Sequence, residues 1–380
     1  MRKTLLLAAI AVASGAQAGG FENARLDTAF MYEEGNSASI STSRRNFDVT
    51  GDAFATTKSV IGDRSATTLS AKYQVNENLA LGITRYDSGA IHINYQGAGG
   101  AATTDFGPRV NLTTDSIALL GKYDITENVS ISAGLRNDSF KVSDADIYRL
   151  TIFNAAGGGA ATNALSPTVS SGSDTVPILA VAYQVPDIAL RIELIHQAKS
   201  SVGLDTVCNI PALVLAAVNA TCSASSTGGL AEYTTLNFQT GIMTDTLLFG
   251  SVHKGKWSKS QLSVADSESA ALLQVGPTSA FEDSTEYSLG LGRKFSEQFS
   301  GSVSYNWESS EDGTTTSLFT VNDGYKGISI GAKYTMENIE LSAGYNYTKL
   351  GDVTYSTALG TNTYADNKVS AFGARLTARF

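Results

Sequence analysis

The sequence predicts an all-β fold, a 14-stranded antiparallel transmembrane β-barrel with short periplasmic turns, long extracellular loops and a reduced N-terminal plug. Three observations predict it. Six alternating apolar/polar stretches run into a very short polar turn and straight back out: 72–82, 122–132, 182–192, 239–250, 293–303 and 333–344. Long segments rich in Gly, Ala, Ser and Thr separate them, and short turns at one end with long loops at the other are the layout of an outer-membrane barrel. The last residues, Asn367 to Phe380, alternate as well, with Phe372, Ala374, Leu376, Ala378 and Phe380 on one face.

From the beginning of the chain, residues 1–18 read as a secretory signal peptide. Arg2 and Lys3 are the charged start, Leu5 to Ala13 the apolar core, and Ala16-Gln17-Ala18 a small-residue cleavage site, so the mature chain is expected to begin near Gly19. No later stretch approaches the roughly 20 apolar residues of a membrane helix. Residues 19–35 form a short N-terminal plug segment in which Phe21, Leu26, Phe30 and Met31 are candidates to turn inward, Leu26 and Phe30 being one helical turn apart.

Residues 36–380 form the barrel. Six tight turns give twelve strands and one more flanks them at each end: 36–50, 64–75, 78–93, 111–125, 128–142, 174–185, 187–200, 231–243, 245–258, 281–295, 298–309, 324–336, 338–350 and 367–380. The clearest alternation sets Phe299, Gly301, Val303, Tyr305 and Trp307 against Ser300, Ser302, Ser304, Asn306 and Glu308. A charge on the lipid face at mid-membrane costs about 2–4 kcal/mol, which fixes the phase. The first strand fits least well, since Arg44 and Arg45 interrupt it. Tyr73, Tyr123, Tyr183, Phe295 and Tyr334 mark an aromatic girdle beside the turns, and Trp257, Trp307 and Tyr347 fall near the opposite rim.

Seven external loops remain: 51–63, 87–110, 143–173, 201–230, 259–280, 310–323 and 351–366. Two carry apolar residues that a wetted loop does not need. These are Ile147, Tyr148, Leu150, Ile152 and Phe153 in the third loop, and Ile210, Leu213, Val214, Leu215 and Val218 in the fourth, where PALVLAAVNA reads as a short apolar helix. Packing within a compact loop and contact with a ligand both account for them. The two cysteines, Cys208 and Cys222, lie in the same loop and are expected to form a disulfide, as is usual for such a pair in an exported chain. Closing a loop of that length contributes roughly 3 kcal/mol.

Composition narrows the function. The net charge is −9, and −11 without Arg2 and Lys3; an acidic chain lacking basic runs does not suit nucleic acid. There is no H-E-x-x-H pair or phosphate-cradling loop, and the one G-x-S-x-G run, 327–331, lies within an alternating strand and is no strand-to-helix elbow, so no enzyme chemistry and no cofactor are expected. GLGRK (290–294) lies mid-strand, where glycines relieve crowding in the lumen. His92, His196 and His253 sit on separate segments, and no metal site is expected. Glu77, Glu127, Asp187 and Glu337 read as solvated turn residues. Asp144 with Asp146, or Asp266 with Glu268, read as surface charge or as ligands for a cation bridging lipopolysaccharide.

The chain resembles the FadL/TodX family of outer-membrane transporters of long-chain fatty acids and other hydrophobic compounds. The resemblance rests on 110–137, 174–194 and 235–258, in order and spacing rather than in one short motif. It implies fourteen strands, a lumen plugged by the N-terminal segment, and an apolar docking groove on the third and fourth external loops. It also implies a kink in the third strand, here Tyr86-Asp87-Ser88-Gly89, where substrate leaves sideways through the wall. Gly tolerates a bulge there, and a simple end to the membrane span accounts for it equally. This chain departs from the family pattern in its short N-terminal segment, which lacks the Asn-Pro-Ala motif.

The expected function is passive uptake of hydrophobic small molecules by a monomer in the outer-membrane lipid and lipopolysaccharide, with Phe380 the terminal aromatic read by the barrel-assembly machinery. Lys72, Lys122, Arg191, Lys333, Arg375 and Arg379 are lumen cations available to an anionic head group or to neighbouring acids. A small-solute porin with an aqueous lumen is the alternative.

Overall fold

The computed structural model describes residues 20–52, 58–95, 98, 109–146, 148–153, 159–166, 170–205, 207–208, 225–265, 279–357 and 360–380. Among these, fourteen antiparallel strands close into one barrel. They are β1 Ser37–Asp48, β2 Arg64–Gln74, β3 Leu79–Asn94, β4 Arg109–Asp124, β5 Val129–Asp146, β6 Ser170–Val185 and β7 Leu190–Gln197. The second half comprises β8 Tyr233–Met243, β9 Thr246–Gly255, β10 Ser284–Lys294, β11 Phe299–Glu308, β12 Tyr325–Met336, β13 Ile339–Leu350 and β14 Lys368–Arg379. Closure comes from β1 against β14, in register from Ser37↔Arg379 to Asp48↔Lys368.

The short turns follow from local chemistry. In three of them one polar side chain closes the turn: Asn76 Oδ1 accepts from the Asn78 and Leu79 amides, Thr126 Oγ1 from Asn128 and Val129, and Ser296 Oγ from Gln298 and Phe299. The other three place Ala189, Asp245 and Glu337 in the left-handed region, with φ of 51°, 57° and 43°.

Alternation then sorts the side chains. The outer surface carries Ile40, Leu69, Leu81, Ile83, Leu119, Leu135, Leu179, Leu289, Ile328, Ile330 and Leu341, all exposed, which only a lipid surrounding makes favourable. Tyr73, Tyr123, Tyr183, Phe295 and Tyr334 ring its turn end, facing outward. Serines, threonines and charged residues fill the inner face, Ser116, Ser130, Arg136, Asp138 and Thr377 among them. Arg45 belongs to this inner set; Arg44 lies on the outer face at the loop end, 3.2 Å from Asp63, so the two arginines do not break the pattern of β1.

The loop end differs from the sequence expectation in two ways. The external loops, to which the sequence assigned no strands, carry strands that stitch them to one another. Tyr148–Phe153, Gly159–Ser166 and Val207–Cys208 form one sheet, Val202–Asp205, Ser225–Gly228 and Ser263–Ala265 a second, and Thr314–Thr315, Val353–Thr357 and Gly360–Tyr364 a third. Second, Trp257 does not face outward at the rim. It is wholly buried at the mouth of the lumen, because the chain leaves β9 in a 3-10 turn, Trp257–Lys259, that folds the indole inward.

Candidate functional site

Residues 20–36 run inside the barrel, and two glycines, one in the wall and one in the segment, let them fit. A Cβ on Gly82 of β3 would stand 2.2 Å from Met31 Sδ and 2.8 Å from the Phe30 ring; one on Gly20 would strike the Trp257 indole at 2.2 Å. Only the absence of those side chains lets the segment approach. Phe21, Leu26, Phe30 and Met31 are all buried. The segment makes a single 3-10 turn, Ala29–Tyr32, rather than the helical turn joining Leu26 to Phe30.

The four apolar side chains enter two separate clusters. Phe30, Met31 and Leu26 pack mid-barrel with Ala80, Tyr86, Ala118, Leu120, Ile178 and Ile195. Phe21 joins a larger cluster at the loop end, its ring 4.9 Å from Trp257, 5.9 Å from Phe281 and 6.4 Å from Phe140. Val60, Tyr95, Val202, Leu230, Val321, Val353 and Tyr364 bring five of the loops into the same cluster. The lumen is thereby closed by an apolar lid. The cleft beside Phe21, Ile91 and Phe281 holds only about 30 Å³, whereas ligand pockets typically hold about 300–1,000 Å³.

Polar contacts fix the segment between the two clusters. Thr28 Oγ1 and Tyr32 hydroxyl each donate to Glu193 at 2.9 Å, Arg375 Nη1 donates to Asp27 at 2.9 Å, and Lys72 Nζ donates to the Glu33 carbonyl. The Tyr32 ring lies 4.5 Å from the Arg191 guanidinium and 5.3 Å from Lys122 Nζ. Lys122 is also bound to Asp124, and Lys333 and Arg379 to Glu340. The six lumen cations are thus engaged, five of them with the segment itself, since Arg379 also stands 3.7 Å from Glu33. Beside it lies a chamber of about 320 Å³ whose lining includes Ser41, Ser43, Arg191, Ser288, Ser304 and Arg375.

At the kink, Tyr86-Asp87-Ser88-Gly89, the β3–β4 register shifts between Asp87 and Gly89, leaving Ser88 as an extra residue. The phase of β3 reverses there: Leu81, Ile83 and Arg85 face outward before it, His92 and Asn94 after it. The other side of β3 is affected more. Its ladder to β2 stops at Thr68↔Tyr86, and backbone contact resumes only where the Gly62 amide donates to the His92 carbonyl at 2.8 Å. Between these points the N-terminal segment takes the place of β2. The Asn23 amide donates to the Ser88 carbonyl at 2.8 Å, Ala24 to Asp87 at 3.0 Å, and the Ala90 amide donates to the Phe21 carbonyl at 2.9 Å. Asn23 Nδ2 donates across the gap to the Ser65 carbonyl at 3.1 Å. A Cβ on Gly89 would stand 3.0 Å from the Phe21 ring and 3.1 Å from Thr114 Oγ1. On the outside the opening is bordered by Asp87 and Arg85, 2.9 Å apart, and by Asp115, which Arg85 also reaches.

Inside, Ser88 is tied to a buried network. Its hydroxyl donates to the Thr114 carbonyl at 3.1 Å and lies 2.6 Å from Ser116 Oγ, which is 2.5 Å from Asp138. Asp138 receives two hydrogen bonds of 2.8 Å from Arg136, whose Nη1 donates to Gln197 at 2.6 Å.

Of the loop residues singled out by sequence, Tyr148, Leu150, Ile152 and Phe153 lie on one strand, paired to Gly159–Ser166, which pairs in turn with Val207–Cys208 of the fourth loop. The backbone therefore brings the third and fourth loops together. Ile147, Ile210, Leu213, Val214, Leu215, Val218 and Cys222 lie outside the described residues, as do the side chains of Tyr148–Phe153 and Cys208. The Cys208–Cys222 pairing and the apolar helix fall there too.

At the rim, Glu282, Asp283, Glu308, Glu311 and Asp323 surround an acidic recess. Burial, then the neighbouring Glu311, Asp312 and Asp323 carboxylates, push the Glu282 pKa up. A carboxyl that holds its proton more tightly when folded contributes most stability below about pH 4.3 and loses it as pH rises through the raised folded value. Glu282→Gln is expected to be more stable than the parent at pH 7 and equal to it near pH 4, measured by thermal unfolding in detergent; a constant difference across that range would contradict this.

No known family model and no curated protein matches the chain. Solved structures do. A Pseudomonas aeruginosa FadL homologue superposes with a TM-score of 0.72 at 12% identity, over 93% of this chain and 92% of that one. The Pseudomonas putida toluene transporter TodX gives 0.64 at 12%, over 93% and 92%. The Ralstonia pickettii toluene transporter TbuX gives 0.59 at 14%, over 98% and 97%. These similarities establish a shared fold over nearly the whole of each chain.

Proposed function

We propose that this protein is an outer-membrane transporter for passive uptake of hydrophobic molecules, captured at the loop end and released sideways between β2 and β3. The observation that carries the reading is the interrupted β2–β3 ladder, filled by a segment that is not part of the wall. A wall meant only to enclose a pore has no reason to leave a run of its own backbone for a removable segment to satisfy. Structures sharing the fold include toluene transporters, in keeping with an apolar substrate.

In this proposal the third and fourth loops form the first contact, with Ile147 to Phe153 and Ile210 to Val218 as the apolar surface. Each CH₂ transferred from water contributes about 0.8 kcal/mol, so a chain of about ten gives roughly 8 kcal/mol before ordering costs reduce it. The ligand then displaces Phe21 from Phe281 and Trp257, since the apolar cleft there is far too small to admit it. Asn23 leaves Ser65, and the vacated gap leads outward past Gly89. Fatty acids, alkanes and monoaromatics all satisfy this chemistry.

Native mass spectrometry and thermal shift with those three classes identify the ligand. Gly89→Val is expected to lower uptake several-fold while the barrel still folds, because the added methyls occupy the gap that Phe21 and Asn23 must leave. Unchanged uptake in the folded variant would rule out this exit. The serine- and arginine-lined chamber favours a second reading, a small-solute porin. A steady, large conductance of the intact protein in planar bilayers without hydrophobic ligand would establish that reading instead.

A further inference from the structure

Three side chains that the sequence keeps far apart converge where the N-terminal segment meets the wall: Glu22, His253 of β9 and Glu286 of β10. All three are buried, and a ligand atom of each lies within 4.8 Å of the other two. Glu22 Oε2 stands 3.3 Å from His253 Nε2, a nitrogen that makes no hydrogen bond there. Two donors bound to one tetrahedral Zn²⁺ at 2.0–2.1 Å stand about 3.4 Å apart. The other ring nitrogen, Nδ1, lies 2.8 Å from Thr235 Oγ1, a contact that orients the imidazole as such contacts do for metal-binding histidines.

Cationic charge at this point is now supplied by Arg25, which donates to Glu22 Oε2 at 2.9 Å and to Glu286 Oε1, and by the buried Arg45 beside both carboxylates, while the Tyr325 hydroxyl donates to Glu286 Oε2. Arg25 is the most exposed member of the group and borders the 320 Å³ chamber, so its guanidinium has room to swing away. Its departure would leave two carboxylates and an imidazole within 4.8 Å of one another, with Arg45 still alongside, a donor set that suits Zn²⁺ and disfavours Mg²⁺ and Ca²⁺.

We propose that Glu22, His253 and Glu286 bind one Zn²⁺-class transition-metal ion, which replaces the Arg25 guanidinium between the carboxylates and fastens the N-terminal segment to β9 and β10. The ion would act as a latch, since Glu22 lies in the segment and the other two ligands in the wall. The site does not depend on which solute the barrel carries.

The test is calorimetric titration of Zn²⁺ into the chelator-stripped, full-length protein in detergent, without a histidine tag and with Ca²⁺ and Mg²⁺ present. One ion per chain is expected. Glu22→Gln and His253→Gln are each expected to weaken binding by about tenfold or more, the range over which single contacts tune metal sites. Glu22 lies outside the wall, so its variant remains informative if a strand substitution disturbs folding. Arg25→Met is expected to bind Zn²⁺ more tightly, because the competing guanidinium is gone. Absence of binding by the parent would overturn the proposal, as would binding unaffected by Glu22→Gln, which would place the ion at His92, His196 or the cysteines. An Arg25→Met variant with unchanged affinity would refute the exchange.

Discussion

Deleting residues 20–33 is expected to turn a shut barrel into an open one, with ion conductance in planar bilayers rising by about tenfold or more, as the lumen of a barrel this size empties. The segment occupies the lumen along two apolar clusters, and its removal takes away Phe21, Leu26, Phe30 and Met31 together. The wall should survive. Fourteen strands are held largely by their own ladders; the Asp87 and Ser88 carbonyls and the Ala90 amide of β3 lose the segment's backbone, while Glu193, Glu286 and Arg375, which also lose partners, face a lumen that water would enter. A folded deletion variant with the parent's conductance would mean that the loop-end cluster of Trp257, Phe281, Tyr95 and Tyr364 seals the mouth unaided. Full-length protein with Gly82→Val provides a milder counterpart, since its added side chain must expel Met31 and Phe30.

The strands were legible because lipid imposes a period of two that nothing else in the chain contradicts. Phe299 to Glu308 and Ile339 to Leu350 show it openly, and the closed barrel has the expected number of strands near the expected positions. Trp257 was misplaced for a physical reason. Spacing along an extended strand locates a residue only while the strand continues, and at Lys256 the chain leaves β9 for a 3-10 turn. The loop sheets were hidden too, since each is completed by a strand from a different loop, a pairing that leaves no local period.

Convergence across the lumen was the least legible feature. Glu22, His253 and Glu286 are neighbours only because the barrel closes around the segment, so the scattering of the histidines along the chain said nothing about their surroundings. The Arg136–Asp138 pair left a clearer trace. Opposite charges two residues apart on the inward phase of a strand must face the same lumen, and they are bound at 2.8 Å.

That pair carries the second large effect. Asp138→Ala is expected to destabilise the barrel by about 3–5 kcal/mol, measured by denaturant unfolding in lipid vesicles, because it strands a buried guanidinium. Both Arg136 and Asp138 are wholly buried, and Arg136 would keep only Gln197 and the Ala198 carbonyl as acceptors. Replacing both, as Arg136→Met with Asp138→Leu, is expected to recover most of the loss, since no charge is then left without its counterpart. A loss below about 1 kcal/mol for Asp138→Ala would show that lumen water reaches the site and hydrates the arginine. The network has a further consequence for the wall. Through Ser116 it holds Ser88, the extra residue of the β3 bulge, against β4 and β5. The bulge is therefore anchored from within the wall as well as by the backbone of the N-terminal segment lying over it. Uptake through the gap should accordingly persist when residues 20–33 are deleted and fall when Asp138 is replaced.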